Sequence, residues 1–224
     1  LDSYPALLRE ISSNCFNMSG TIEDGRRTDM YREQIARNSA NAEFKNIDDY
    51  ISSLCLEVHV ARNSCEAISR VTQMSQRTNQ FNLTTIRYTD REISDRLKSQ
   101  EFDIFTLSAA DKFGDYGLTG LCIVEKLGRD QTVNIDSFLM SCRIIGRGIE
   151  YVFLDNIVEW VDQQNVERIT ASYTSTGRNS QVENFYDELG FDCTRVEGKS
   201  KDYQVLVRDY RPRNIGYIGV TCDY

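Results

Sequence analysis

"MSCRIIGRGIEY", residues 140–151, joins two different hydrophobic patterns. The apolar run "SFLM" (137–140) enters it, and the helical-period segment "IEYVFLDNIVEWVDQQ" (149–164) leaves it. A strand therefore passes into a helix through Arg143-x-x-Gly146-Arg147-Gly148. Glycines let backbone N–H groups approach a ligand closely, and the first turn of a helix presents unpaired N–H groups and partial positive charge. The turn is a candidate anion site, and Cys142 sits beside it.

Working outward, the 224 residues are 40% hydrophobic and 27% charged with two prolines, the balance of a soluble globular protein. No apolar run approaches the ~20 residues that a membrane-spanning helix needs. The chain begins at Leu1 rather than Met, which reads as a piece of a longer polypeptide whose targeting signals lie elsewhere. A net charge of −8 argues against broad nucleic-acid binding, which depends on neutralising phosphates. It leaves room for a local basic patch that meets an acidic partner.

The seven cysteines, Cys15, Cys55, Cys65, Cys122, Cys142, Cys193 and Cys222, form no Cys-x-x-Cys pair and show no metal-ligand spacing. Cys55, Cys122 and Cys193 read as strand residues. The odd count points to reduced thiols in a cytoplasmic protein without a bound metal. The single histidine, His59, lies in the alternating stretch "CLEVHV" and reads as a strand side chain, which sets a histidine-based triad aside.

Residues 1–50 read as a polar helical extension, with helices over "YPALLREISSNCF" (4–16) and from Thr21 through "IEDGRRTDMYREQIARNSANAEF". Residues 51–224 read as an α/β domain. Its strands are "CLEVHV", "FDIFTLSAA", "LTGLCIVEKL", "TVNIDSFLM", "RITASYTS", "FDCTRV" and "YQVLVRD". Ser64 is placed to cap a helix over "CEAISRVTQMSQRT", and "TDRE" (89–92) is a capping box. "DKFGDYG" (111–117) has the composition of a hairpin turn. Helices follow the glycine turn and cover "VENFYDEL" (182–189), so the order is β-α-α-β-β-β-α-β-α-β-β around one mixed sheet.

That order, with Arg143-x-x-Gly146-x-Gly148 after the fourth strand, resembles the GNAT acyltransferase fold. "NSQVENFYDELGF" (179–191), with Asn179, Phe185, Tyr186, Gly190 and Phe191, looks like the later helix-and-turn motif of that fold. A resemblance over nearly the whole chain is carried by "RVTQMSQRTNQFNLTTIRYTDREI", "DKFGDYGLTG" and "SFLMSCRIIGRGIE", which are similar to the C-terminal half of FkbH-like proteins. Those proteins serve the glyceryl-carrier-protein step of methoxymalonyl extender-unit biosynthesis in polyketide pathways. The resemblance implies transfer of a glyceryl group from 1,3-bisphosphoglycerate, an acyl phosphate, to an acyl carrier protein as a thioester. It also implies a HAD-type phosphatase region on the full-length chain, although no Asp-x-Asp-x-Thr signature occurs in these residues.

In that chemistry Cys142 is the candidate nucleophile, with the helix N-terminus, Arg143 and Arg147 favouring its thiolate and nearby backbone N–H groups facing the oxyanion. Its bland alternative is a small apolar residue at a strand end. By the resemblance, Arg143, Gly146, Arg147 and Gly148 cradle phosphates of phosphopantetheine or coenzyme A, a co-substrate rather than a tightly bound cofactor. Asn79, Gln80 and Asn82 are candidates to bind glyceryl hydroxyls, and Asp111 or Asp115 to act as base, with turn-forming roles as the alternative. Tyr186 is a candidate substrate-side acid or a core residue, and Glu150 reads as a favourable charge at a helix start. Arg143, Arg147 and Arg178 form the candidate basic patch for the carrier. A coenzyme-A-dependent N-acyltransferase and a non-catalytic carrier-docking module are the competing functions.

Overall fold

The computed structural model describes residues 22–41, 44–128 and 131–224. The helix expected over residues 4–16, together with Cys15 and Thr21, lies outside the described residues. The chain divides into two compact units at the Phe44–Lys45 junction. In the first, helix α1 (Ile22–Asn41) carries one-turn side-chain pairs such as Gln34 Nε2 to Asn38 Oδ1 at 3.0 Å. The second begins at Lys45 and includes α2 (Ile47–Ser53), whose Tyr50 and Ile51 are buried.

The strands of the second unit are β1 (Leu56–Arg62), β2 (Phe81–Asn82), β3 (Phe102–Asp111), β4 (Gly114–Lys126), β5 (Thr132–Met140), β6 (Arg168–Thr174), β7 (Asp192–Glu197), β8 (Ser200–Leu206) and β9 (Ile218–Asp223). They form one nine-stranded mixed sheet in the order β7-β8-β6-β5-β4-β3-β1-β9, with β2 paired to β5. Parallel pairs are β5 with β6 and β1 with β9. The helices are α3 (Ile68–Arg77), α4 (Asp90–Lys98), α5 (Ile149–Gln163) and the short α6 (Phe185–Glu188).

Adjacent residues along a strand face opposite sides of a sheet, and that alternation builds two cores. On one face Ile104, Leu121, Ile123 and Leu139 meet Val71 and Met74 of α3, Tyr88, and Ile93 of α4. On the other, Phe105 packs on Trp160 at 5.2 Å and Phe138 on Phe153 at 5.4 Å, which seats α5. Each such fully buried side chain contributes about 1.5–3 kcal/mol. The capping box forms as the sequence predicts, with Thr89 N–H donating to Glu92 Oε2 at 2.8 Å and Glu92 N–H to Thr89 Oγ1 at 3.3 Å.

Several expectations need correction. Cys55 precedes β1 at a left-handed φ of 53° instead of lying in the strand. Ser64 makes no side-chain cap and leads into a 3-10 turn, Cys65–Ala67, before α3. The tip of the hairpin is confined to Lys112 and Phe113, because β4 already begins at Gly114. β2 and β9 add two strands to the expected order.

β2 fills a wedge. β5 and β6 pair only over Thr132–Ile135 and Arg168–Ala171, so their later residues need other partners. Residues 81–83 supply them: Phe81 lies opposite Met140, Asn82 opposite Leu139, and Leu83 N–H donates to Phe138 O at 3.1 Å. Across the wedge, Thr174 N–H donates to Leu83 O at 2.7 Å. Among the described residues no helix is long and apolar enough to cross a membrane.

Candidate active site

β5 ends at Met140, and Ser141 N–H still bonds β4 through Thr119 O at 2.7 Å. A 3-10 turn, Cys142–Ile144, follows, with Ile144 buried as its anchor and Cys142 exposed. Gly146 and Gly148 then take φ values of +77° and +81°, a region that side chains disfavour. Gly148 has a second reason to be glycine, since a Cβ there would lie 2.7 Å from Ile215 Cδ1 and 3.0 Å from the Tyr217 hydroxyl. Tyr217 OH also donates to Arg147 O at 3.1 Å, so the C-terminal segment braces the turn.

Both arginines of the turn are engaged by the β3–β4 hairpin. Arg143 donates to Tyr116 O at 3.0 Å and to Ser141 Oγ at 3.3 Å. Arg147 donates to the Tyr116 hydroxyl, lies 3.9 Å from Asp111 Oδ2, and sits over the Tyr116 ring at 4.9 Å. Tyr116 OH in turn donates to Asp111 Oδ2 at 2.5 Å. Burial, then the Asp111 hydrogen bond, pushes the Tyr116 hydroxyl up to about 12. Asp111, its side chain fully buried, also accepts the N–H groups of Phe113 and Gly114 through Oδ1 at 2.9 and 3.2 Å.

The structure thus brings Asp111, Arg143, Gly146, Arg147 and Gly148 to one place, with the side chains of Arg143, Arg147 and Asp111 taken up in contacts of the β3–β4 hairpin. Asp111 organises the hairpin and orients Arg147, which leaves it poorly placed to collect a proton. Asp115 is exposed and closes a local turn by accepting Gly117 N–H at 2.6 Å. Arg178 is exposed, whereas the Arg147 side chain is only 13% exposed. The patch that faces solvent is therefore smaller than the sequence implies.

The polar loop before β2 divides similarly. Gln80 is exposed and lies next to the Phe81–Met140 pair, as Ser141 does on the other strand. Asn79 Oδ1 accepts from Arg87 at 2.6 Å. Asn82 is fully buried, accepts Thr85 N–H at 2.8 Å and donates to Thr78 O at 3.3 Å, so its side chain serves the loop. Tyr186 is 1% exposed among Phe185, Phe191 and Tyr203, and its hydroxyl has no partner. Burial pushes that hydroxyl well above the usual tyrosine range, which fits a core residue better than a proton donor.

Two features escaped the sequence reading. Glu150 is 6% exposed, not a solvated charge, and its Oε2 is buried without a hydrogen-bond partner. Desolvation raises its pKa, although the nearby backbone at Glu150 and Gly146 and the Arg213 charge pull it the other way. Its neighbours in sequence, Ile149 and Val152, are core residues, and that apolar context was the available signal. The other is a groove of about 620 Å³ lined by Val152, Asp155, Glu159, Tyr210 and Ile215 among others, which includes none of the predicted site residues. Among the described residues no cluster of three or more His, Cys, Asp or Glu side chains is disposed to hold a metal ion.

No described protein family and no curated protein matches the chain by sequence. Solved structures do match. The ribosomal-protein-S18-alanine N-acetyltransferase of Escherichia coli superposes with a TM-score of 0.53 at 9% identity, covering 70% of this chain and 98% of that one. A GNAT-family protein of Desulfovibrio desulfuricans gives 0.53 at 12% identity, covering 67% and 99%. The spermidine N-acetyltransferase of Vibrio cholerae in complex with CoA and spermine gives 0.51 at 10% identity, covering 67% and 96%. At such identities the likeness speaks for architecture: the mixed sheet, the glycine turn and α5 compose the GNAT fold.

Proposed function

We propose that the chain is an acyltransferase in which Cys142 carries the acyl group and a pantetheine thiol receives it. The observation that supports this reading is the exposure of Cys142 at the end of β5, directly before a glycine turn that opens a helix, within a GNAT fold. By the FkbH-like resemblance the donor is 1,3-bisphosphoglycerate and the acceptor a phosphopantetheinylated acyl carrier protein in extender-unit biosynthesis, in the cytoplasm. A phosphatase region on the same full-length chain would act on the remaining phosphate.

The steps balance without a dedicated acid. The Cys142 thiolate attacks the acyl carbon, a C–S bond forms, the C–O bond to phosphate breaks, and phosphate leaves with the electron pair. The carrier thiolate then attacks the Cys142 thioester, and Cys142 leaves as thiolate. An acyl phosphate is already activated, so the commitment of Asp111 to Arg147 and of Asp115 to its turn is no obstacle. Gln80 and Asn79 precede β2, whose Phe81 lies opposite Met140, two residues before Cys142, and by the resemblance they would serve the glyceryl hydroxyls.

Coenzyme-A-dependent N-acyltransfer is the second reading, favoured by the acetyltransferases that share the fold. Intact-mass analysis after incubation with enzymatically generated 1,3-bisphosphoglycerate separates them. The proposal expects a hydroxylamine-labile phosphoglyceryl adduct on the Cys142 peptide, the 3-phosphate remaining until a phosphatase removes it. Acetyl transfer from acetyl-CoA to amines without any such adduct gives the case to the second reading.

A further inference from the structure

The two outer strands of the sheet are built differently. β7 carries Arg195 paired with Glu197, and its register against β8 shifts between Cys193 and Arg195. Charges and bulges of this kind keep a strand edge from pairing further. β9, "IGVTCD" (218–223), has no lysine, arginine or proline, and it pairs with β1 in an unbroken register. Among the described residues no strand takes its outer edge, where Val220 is 41% exposed. Every second residue of an edge strand aims its N–H and C=O away from the sheet, so β9 offers a row of open donors and acceptors.

The groove of about 620 Å³ reaches this strand through Val220. Cys222, two residues on and therefore on the same face, donates to Asn156 Oδ1 of α5 at 3.3 Å, so that face of β9 looks onto the helix. Val152, Val207 and Ile215 make the groove largely apolar. Asp155, Glu159 and Asp162, at helical spacing, add an acidic stripe from α5. Asp155 is partly committed, since it accepts the Tyr210 hydroxyl at 2.6 Å and Arg213 N–H at 3.0 Å. Glu159 and Asp162 are exposed, and neither has an ion-pair partner among the described residues. No lysine or arginine lines the groove to offset them.

We propose that β9 and this groove dock an extended, basic segment of another protein, which joins the sheet as a strand outside β9. Its backbone completes the open row of hydrogen bonds, as in other cases of strand addition. Its lysine or arginine stems cover Val220 and Ile215 while their cations reach Glu159 and Asp162. A second copy of this chain is a poor occupant, because pairing β9 with β9 would bring two acidic stripes to one edge between chains of net charge −8. The lining includes neither Cys142 nor any residue of the glycine turn, so the proposal stands apart from the reading of the reaction.

Fluorescence anisotropy of a labelled hexapeptide of alternating lysine and threonine, titrated with the full chain, tests the proposal. One control replaces each lysine with glutamate. The other is the lysine peptide N-methylated at every residue, which keeps the charges and has no backbone N–H. The lysine peptide is expected to bind at least about tenfold more tightly than either control, and to weaken as salt is raised. Val220→Lys, which puts a cation on the open edge, should weaken it about tenfold. Glu159→Gln, an exposed change, should weaken it about threefold and keeps the test decidable should the lysine variant fail to fold. Absence of binding, equal affinity for either control, or unchanged affinity in the variants overturns the proposal. A wild-type dimer that Val220→Lys splits assigns the edge to a second copy and overturns it as well.

Discussion

Arg147 and Tyr116 are locked together twice, through a hydrogen bond to the phenol and through the guanidinium lying 4.9 Å over the ring. The phenol passes the contact on to Asp111 at 2.5 Å, so a turn after β5 is pinned to a hairpin some thirty residues earlier in the chain. Tyr116→Phe removes the bridge and strips a donor from a buried carboxylate. It should lower the unfolding free energy by about 1–3 kcal/mol, read as a shifted urea midpoint at unchanged slope.

Cys142 is exposed at the start of its 3-10 turn. Cys142→Ala should therefore leave stability within about 0.5 kcal/mol of wild type. Acyl loading, followed by intact mass, should disappear. A variant that loads a carrier at the wild-type rate would remove the covalent intermediate from the mechanism.

Glu150 titrates above its ordinary 4.5 in the folded chain, mainly through desolvation. The folded state then holds this proton more tightly than the unfolded state does. The proton-bound form is the favoured one, and stability is lost as pH rises from the usual carboxylate range through the raised value. Glu150→Gln should erase that loss, so its stability relative to wild type should increase from pH 4 to pH 7. Paired urea titrations at the two pH values check the sign, and a constant difference would contradict it.

Asn179 is fully buried and ties the wedge between β5 and β6. Its Nδ2 donates to Asn82 O and to Thr174 O at 2.9 Å each, and Oδ1 accepts Thr176 N–H at 2.9 Å. Asn179→Ala leaves those groups without partners and should cost about 2–3 kcal/mol, measured by thermal or urea unfolding. Hydrogen exchange should speed up at Thr174 and Leu83 before it does in β3 or β4, because those two lie where the strands part.

Much of the architecture was legible along the chain because its causes are local. Strand-length apolar runs mark β3, β4 and β5, alternation marks β1, the 3.6 period marks α5, and Thr89 with Glu92 announces the start of α4. Gly146 and Gly148 could be read as backbone devices for the same reason: a left-handed φ is a property of the residue itself. β2, two residues long, carries no period, and β9 becomes a strand through its parallel pairing with β1, about 160 residues away in sequence. The chemistry of the polar groups was equally hidden. Asp111, Arg147, Asn82, Tyr186 and Glu150 are all residue types that serve in active sites, and nothing in their spacing tells which ones become committed elsewhere. Tyr116 takes Arg147, a loop N–H takes Asn82, aromatic rings enclose Tyr186, and the turn encloses Glu150. Burial and partner choice are pairwise properties of distant segments, so the folded chain had to bring those segments together before free and committed groups could be told apart.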